Sequence, residues 1–140
     1  MTTAAALAVP VGQVHRTTTQ IKVTGPCCQD ISGETVTITE PANLVSVVLE
    51  WSMEYVSTGP FAVGVRINGG GCGDYGPEYI PTKAAVRGTP FYPTTIQFVI
   101  LPSDGLIAGS NTLTVCEGPT VNNNDTMTIG TRTLAVHISK

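Results

Sequence analysis

The stretch LVSVVLEWSMEYV, residues 44–56, alternates apolar and polar side chains with a period of two. The apolar side chains occupy the odd positions, namely Val45, Val47, Leu49, Trp51, Met53 and Tyr55. The even positions hold Ser46, Glu50, Ser52 and Glu54, and Val48 is the exception. A period of two predicts a β-strand with one buried face. We therefore expect Trp51 in a core and Glu50 and Glu54 on the exposed face.

The segments around this stretch also indicate strands. FAVGVRIN (61–68) alternates in the same way, and the turn residues STGP (57–60) predict a hairpin between the two strands. Further strands are predicted at 13–24, 34–39, 94–101, 111–116 and 126–138, and no segment carries a helical period. The pattern predicts an all-β protein, an antiparallel β-sandwich or jelly roll of about seven or eight strands. We assign residues 13–140 to this single domain and residues 1–12 to an N-terminal arm.

The last predicted strand changes its alternation partway along. Met127 and Ile129 are odd, whereas Leu134, Val136 and Ile138 are even. An extra residue in one strand of a pair, a β-bulge, produces this change of face. We therefore predict a bulge near Gly130.

Composition excludes several classes of partner. The 140 residues are 41% hydrophobic and 12% charged, with a net charge of -3 and 21 threonines. The net charge argues against nucleic-acid binding, and no apolar run reaches the ~18 residues that span a membrane. The apolar run near the N-terminus has no Lys or Arg before it, as a secretion signal would need, so we expect no export signal.

A glycine-rich stretch, INGGGCGDYGPEY (67–79), begins a long connection that runs to residue 93. Phosphate-binding loops lead into a helix, and here prolines follow instead. Loops of this length are uncommon unless they are functional. We therefore predict that the connection contacts a partner through four aromatic residues that the strand pattern does not commit to the core. These residues are Tyr75, Tyr79, Phe91 and Tyr92.

The four cysteines are Cys27, Cys28, Cys72 and Cys116. Their spacing lacks the paired pattern of zinc sites. They suit structural disulfides in an oxidising compartment, and the simplest pairing joins Cys27 or Cys28 to Cys72 or Cys116. Four free, partly buried thiols are the alternative.

No motif for metal, cofactor or catalysis is present in the chain. The turns PSDG (102–105) and NNND (122–125) carry oxygen ligands that suit Ca²⁺, but Asn and Asp also favour turns for their own hydrogen bonds. We therefore predict no cofactor and no bound transition metal, and Ca²⁺ stays an open alternative that we do not predict. The nucleophile elbow and the zinc-protease motif are both absent, so we predict that the protein is not an enzyme.

The segment LIAGSNTLTV (106–115) resembles a segment of known jelly-roll modules. Leu106, Gly109, Asn111, Leu113 and Val115 are similar to the Leu-x-x-Gly-x-Asn-x-Leu-x-Val pattern of galactose-binding-like and carbohydrate-binding domains. The closing stretch 125–138 is similar to the final strand of such modules. The resemblance covers about a quarter of the chain and implies a sandwich. It transfers no binding residue, and fold alone does not define function.

Two functions remain from different classes. The favoured one is a structural protein of a virion, such as a bacteriophage capsid decoration or minor capsid protein, made in the host cytoplasm and assembled with other subunits or as a homo-oligomer. A virion protein would combine a composition typical of extracellular proteins with the lack of an export signal. The alternative is an extracellular carbohydrate-binding module or lectin whose partner is a glycan. An enzyme is the least favoured class.

Overall fold

The computed structural model describes residues 8–9, 14–24, 29–40, 45–73, 79–81, 83, 91–117 and 124–139. At residues 8, 9, 14–17, 32, 40 and 79 it describes the backbone alone. Cys27, Cys28 and Tyr75 lie outside the described residues.

Eleven strands and one short helix make up the regular structure of the described residues. The strands are β1 (Ala8–Val9), β2 (Val14–Thr17), β3 (Ile21–Thr24), β4 (Asp30–Glu40), β5 (Ser46–Ser57), β6 (Phe61–Ile67), β7 (Cys72–Gly73), β8 (Tyr79–Ile80), β9 (Tyr92–Ile100), β10 (Gly109–Glu117) and β11 (Thr126–Ser139). A 3₁₀ helix spans Pro102–Asp104. No helix in this part of the chain is long and apolar enough to cross a membrane.

The strands form two antiparallel sheets, which confirms the predicted antiparallel β-sandwich. In the first sheet, β11 is central: it pairs with β5 on one side, and β5 pairs in turn with β9. On its other side β11 pairs with β1, β2 and β3 in succession. The second sheet has the order β4-β10-β6-β7, and β8 also pairs with β6. The short strands β1, β7 and β8 account for the excess over the predicted strand number.

The predicted hairpin at residues 57–60 is wrong. β5 ends at Ser57 in the first sheet, and β6 begins at Phe61 in the second sheet, so the chain crosses between the sheets. The Ser57 N–H donates to the Lys83 carbonyl and the Thr58 N–H to the Thr126 carbonyl, each at 2.9 Å. The turn residues end β5 as predicted, but these two hydrogen bonds hold the chain where it crosses to the second sheet, and β5 does not pair with β6.

The core lies between the two sheets and contains the aromatic residues that the alternation assigns to it. Trp51, Tyr55, Phe61 and Phe98 are each at most 1% exposed. β5 keeps a strict alternation from Val47 to Ser57, in which every odd position is buried. Val45, predicted to be buried, is 57% exposed because it precedes the strand. The period of two therefore gives the buried face correctly wherever β5 is paired.

A charged pair is enclosed in this core. The Glu34 Oε1 atom accepts a hydrogen bond from Trp51 Nε1 at 2.9 Å and lies 2.9 Å from Arg132 Nε. The Arg132 Nη1 atom also donates to the carbonyls of Thr19 and Gly130. Glu34 and Arg132 are 0% and 2% exposed. The pair thus connects β4 of the second sheet to β5 and β11 of the first.

A disulfide links Cys72 on β7 to Cys116 on β10. The two strands flank β6, and the bond passes over Gly64, where a Cβ atom would meet the Gly73 carbonyl and Cys72 Sγ. The prediction that Cys27 or Cys28 bonds to Cys72 or Cys116 is wrong, because Cys72 and Cys116 bond to each other. The bond attaches the start of the glycine-rich connection to the second sheet.

Residues 8 and 9 of the predicted N-terminal arm pair with the end of β11. Their Cα partners are Ser139 and Ile138. This part of the arm therefore extends the first sheet of its own domain. The rest of residues 1–12 lies outside the described residues.

Candidate binding groove

A groove of about 260 Å³ lies on the outer face of the first sheet, where β9, β5 and β11 run side by side. The residues that line it are Ser52, Met53, Glu54, Pro93, Thr94, Thr95, Thr131, Arg132 and Thr133. Met53 and Arg132 are buried, so the outward-facing positions of the three strands supply most of the exposed lining. This volume is slightly below the ~300–1,000 Å³ of typical small-molecule clefts.

Two cross-strand rows build the groove. In the first row, Ser52 is the Cα partner of Thr133 on one side and of Thr95 on the other. In the second row, Glu54 is the Cα partner of Pro93, and Thr131 lies at the bulge on the opposite side. Residues two apart on a strand face the same way, which places both rows on one surface.

Several polar groups of the groove are free to bind a ligand. The Ser52 and Thr95 hydroxyls bond to each other at 3.1 Å, and Glu54 Oε1 accepts the Thr131 N–H at 3.2 Å. No group of the described residues hydrogen-bonds to Glu54 Oε2 or to the hydroxyls of Thr131 and Thr133. The groove therefore offers one carboxylate acceptor and two hydroxyls that can each donate and accept.

The face around the groove carries negative charge. Its outward carboxylates are Glu50 and Glu54 on β5, and Glu50 Oε2 accepts a hydrogen bond from Gln97 at 2.9 Å. The outward positions of β5, β9 and the part of β11 after the bulge hold no Lys or Arg, and the Arg132 side chain is buried. The basic residues of this face are Lys22 on β3, which is exposed, and Arg16 on β2, the Cα partner of Thr133. An anionic group is therefore disfavoured next to Glu54, on the β5 side of the groove.

The predicted contact aromatics lie elsewhere. Tyr79 belongs to β8, whose backbone pairs with β6, so part of the connection is a strand, contrary to the prediction. Phe91 and Tyr92 are half-buried, and Lys83 Nζ lies 5.5 Å from the centroid of the Tyr92 ring. Neither Phe91 nor Tyr92 lines the groove. Their contact with a partner stays a prediction.

The described aspartates of the two acidic turns accept hydrogen bonds from other groups of the protein. Asp104 Oδ2 accepts the Leu101 N–H at 2.7 Å, which closes the turn around the 3₁₀ helix. Asp125 Oδ1 accepts from the Thr58 hydroxyl at 3.2 Å. The described part of the chain contains no group of three His, Cys, Asp or Glu side chains that could hold a metal. The prediction of no cofactor stays untested, and calcium stays an open alternative.

Glu117, at the end of β10, is a buried carboxyl that no sequence pattern singles out. It is 0% exposed, and neither carboxyl oxygen has a hydrogen-bond partner within the described residues. Burial raises the pKa of Glu117 above its ordinary value of 4.5, because a charged carboxylate is poorly solvated there. Between its ordinary pKa and its raised pKa, the folded protein binds more protons at Glu117 than the unfolded chain does.

We predict that Glu117 makes the protein less stable as the pH rises above 4.5. As the pH rises from 4.5 to the pKa of Glu117 in the folded protein, the free energy of unfolding falls. The slope approaches about 1.4 kcal/mol per pH unit. Glu117→Gln removes this loss, so the variant should gain stability relative to wild type between pH 5 and pH 7. Urea unfolding across this range measures the effect, with Glu50→Gln as the control. Equal pH slopes for wild type and Glu117→Gln would contradict the prediction.

The groove could be predicted only in part from the sequence. The alternation assigns Glu54 and Ser52 to the exposed face, and the parity change near Gly130 brings Thr131 and Thr133 to an outward position. The sequence pattern does not predict that β5 pairs with both β9 and β11. Since these strands are distant in sequence, their register is needed to bring the two rows together.

No protein-family model matches the chain, and no curated protein matches it. Among solved structures, the chain is similar to the CBM36-1 domain of a multidomain xylanase from the hindgut metagenome of Trinervitermes trinervoides. The sequences are 14% identical over 87% of this chain and 94% of that domain, with a TM-score of 0.39. We base no functional argument on this likeness.

Proposed function

We propose that this protein is a non-catalytic carbohydrate-binding module that holds a glycan in the groove on its first sheet. The groove itself carries the proposal. It combines a free carboxylate oxygen with uncommitted hydroxyls on a rigid sheet, and sugar hydroxyls pair with such groups. Its volume suits roughly one or two sugar rings in an open site. This is the alternative function considered in the sequence analysis.

The arrangement of carboxylates supports a binding role over glycoside hydrolysis. Hydrolases of this kind use two carboxyl groups about 5–9.5 Å apart. Among the described lining residues Glu54 is the one carboxylate, so they supply no second carboxyl group within the groove.

The disulfide supports an extracellular location for the proposed module. Disulfides persist in oxidising compartments and are rare in the cytosol, and Cys72 and Cys116 are bonded. The interpretation as a virion protein gains no comparable support: neither the comparisons nor the described residues provide an argument for a capsid or a homo-oligomer.

A steric block of the groove tests the proposal. Thr133→Tyr places a ring in the first row, whereas Thr37→Tyr puts the same side chain on the exposed outer face of β4 in the second sheet. We expect wild type and Thr37→Tyr to bind at least one polysaccharide from a panel of xylan, β-glucan, mannan and galactan. Thr133→Tyr should bind it at least about tenfold more weakly, the equivalent of about 1.4 kcal/mol. Affinity electrophoresis and calorimetry measure both.

Two results would contradict the proposal. Wild-type protein that binds no glycan in the panel, or in a broader array, would exclude the function. Equal binding by Thr133→Tyr and Thr37→Tyr would place any glycan site outside the groove. Size-exclusion chromatography of the same samples covers the virion alternative, since a structural protein of that kind would assemble into large particles and ignore glycans.

A further inference from the structure

The β-bulge in β11 lies directly beside the Glu54 side chain. Ile129 pairs with Tyr55 and Arg132 with Met53, so two residues of β11, Gly130 and Thr131, lie opposite Glu54 alone. A bulge takes a residue out of the regular ladder. The N–H of Thr131 points to Glu54 Oε1, which accepts it at 3.2 Å.

Gly130 leaves the space that Glu54 occupies. A Cβ atom on Gly130 would lie 2.8 Å from Glu54 Oε1 and 3.1 Å from its Cγ, so the Glu54 side chain would have to shift. The φ angle of Gly130 is not in the left-handed region. The glycine therefore allows the observed position of the Glu54 carboxylate, and the backbone conformation does not require it.

The bulge is held from the core side as well. Arg132 Nη1 donates to the Gly130 carbonyl at 3.0 Å inside the sandwich, and Arg132 is itself paired with Glu34. The bulge thus lies between a buried arginine and the Glu54 carboxylate. This arrangement fixes Glu54 Oε1 and leaves Oε2 available to a ligand in the groove. A preorganised acceptor loses little side-chain entropy on binding.

We infer that Glu54, oriented by the bulge at Gly130 and Thr131, determines specificity in the groove and selects neutral glycans over acidic ones. This inference rests on the proposed carbohydrate-binding function. A carboxylate accepts charge-assisted hydrogen bonds from sugar hydroxyls, which are about twice as strong as neutral ones. The same carboxylate lies in the groove itself, whereas the basic residues of this face, Arg16 and Lys22, belong to β2 and β3 on the far side of β11. A uronic or sulfate group held beside Glu54 is therefore repelled.

None of the described residues that line the groove is aromatic. Sugar rings that stack on aromatic side chains are held by their apolar faces, whereas this lining offers hydroxyls and a carboxylate. Hydrogen bonds to hydroxyl groups therefore provide most of the recognition, which increases the contribution of Glu54.

Three single variants, the Gly130→Ala/Glu54→Gln double variant and one glycan series test the inference. The series pairs each neutral oligosaccharide with a uronic-acid or sulfated counterpart of the same length. Glu54→Gln keeps the shape of the side chain and removes the charge, Gly130→Ala displaces the carboxylate, and Glu50→Gln removes a charge outside the groove lining. Far-UV circular dichroism and melting curves establish that each variant is folded.

We expect wild type to bind the neutral members and to discriminate against the acidic ones. Glu54→Gln should bind the neutral glycan about ten- to a hundredfold more weakly, as expected for the loss of a hydrogen bond to a charged group, and should lose discrimination. Glu50→Gln should stay within about threefold of wild type. Gly130→Ala should weaken binding in the wild-type background but not in the Glu54→Gln background, since the two changes then remove one interaction.

The outcomes separate this inference from the proposed function. If wild type binds no glycan, the proposed function fails, and the inference fails with it. If wild type binds in the groove but Glu54→Gln binds equally well, or acidic glycans bind as tightly as neutral ones, only the inference is overturned. Additive losses from Gly130→Ala and Glu54→Gln would overturn the role of the bulge.

Discussion

Arg132→Met is expected to lower the free energy of unfolding by about 3–5 kcal/mol. The change removes the cation that lies 2.9 Å from Glu34 Oε1 and leaves a fully buried carboxylate. It also removes the donor to the carbonyls of Thr19 and Gly130. Breaking a buried ion pair on one side is costly because the remaining charge stays out of water without compensation. Chemical denaturation at pH 7 measures the loss.

A double variant identifies the cause of this loss. Glu34→Gln combined with Arg132→Met removes both charges and keeps an oxygen that can accept the Trp51 Nε1 hydrogen bond. If the unpaired Glu34 carboxylate causes most of the loss of stability, the double variant should be more stable than Arg132→Met alone, since neutral replacements of buried pairs are often tolerated. A double variant less stable than Arg132→Met would show another cause for the loss of stability, namely lost packing and the carbonyls of Thr19 and Gly130 that no longer accept a hydrogen bond from Arg132.

The sequence predicts the fold class because burial follows alternation in long strands. Trp51 is buried, and the strand from Ser46 to Ser57 has one buried face, as a period of two requires. The bulge near Gly130 is confirmed by the register shift between Ile129 and Arg132. Both features are local consequences of side-chain pattern, so no knowledge of strand pairing is needed to find them.

Strand pairing itself could not be predicted from the same pattern. The residues STGP end a strand equally well before a hairpin and before a crossing between sheets, and the crossing is what occurs. Strands of two residues, such as Cys72–Gly73, are too short to show a period. Cysteine connectivity is likewise undetermined by sequence, because four cysteines allow three pairings.

The candidate groove combines predictable and unpredictable parts. Glu54 on an exposed face and the bulge near Gly130 are each predicted from the sequence. Their contact depends on the register between β5 and β11, which brings residues 77 apart in sequence into one hydrogen bond. The charged pair in the core has the same origin, since Glu34 and Arg132 come from different sheets. Polar sites built from several strands are defined by register, and register is a property of the whole sheet.

Removal of the Cys72–Cys116 disulfide has the second of the two largest expected effects. The bond closes a loop with a sequence separation of 44, and restricting such a loop in the unfolded chain is worth about 4 kcal/mol in the chain-entropy model. Since domains are stable by about 5–15 kcal/mol, this is a substantial fraction. The double variant Cys72→Ala/Cys116→Ala should therefore unfold at a markedly lower urea concentration. Alanine at both sites avoids burying a hydroxyl where Cys116 is 0% exposed.

The effect of the disulfide on stability can be separated from glycan binding, because the bond and the groove lie on different sheets. The disulfide lies on the outer face of the second sheet, over Gly64, whereas the groove is on the outer face of the first sheet. The alanine variant should therefore lose stability and yet bind a glycan with unchanged affinity under conditions in which it is folded. Reductant should lower the urea midpoint of wild type more than that of the double variant. A urea midpoint unchanged from wild type would show that the disulfide adds little to the stability that the pairing of β6, β7 and β10 already provides. Weakened glycan binding by the folded variant would show that the two sheets are coupled.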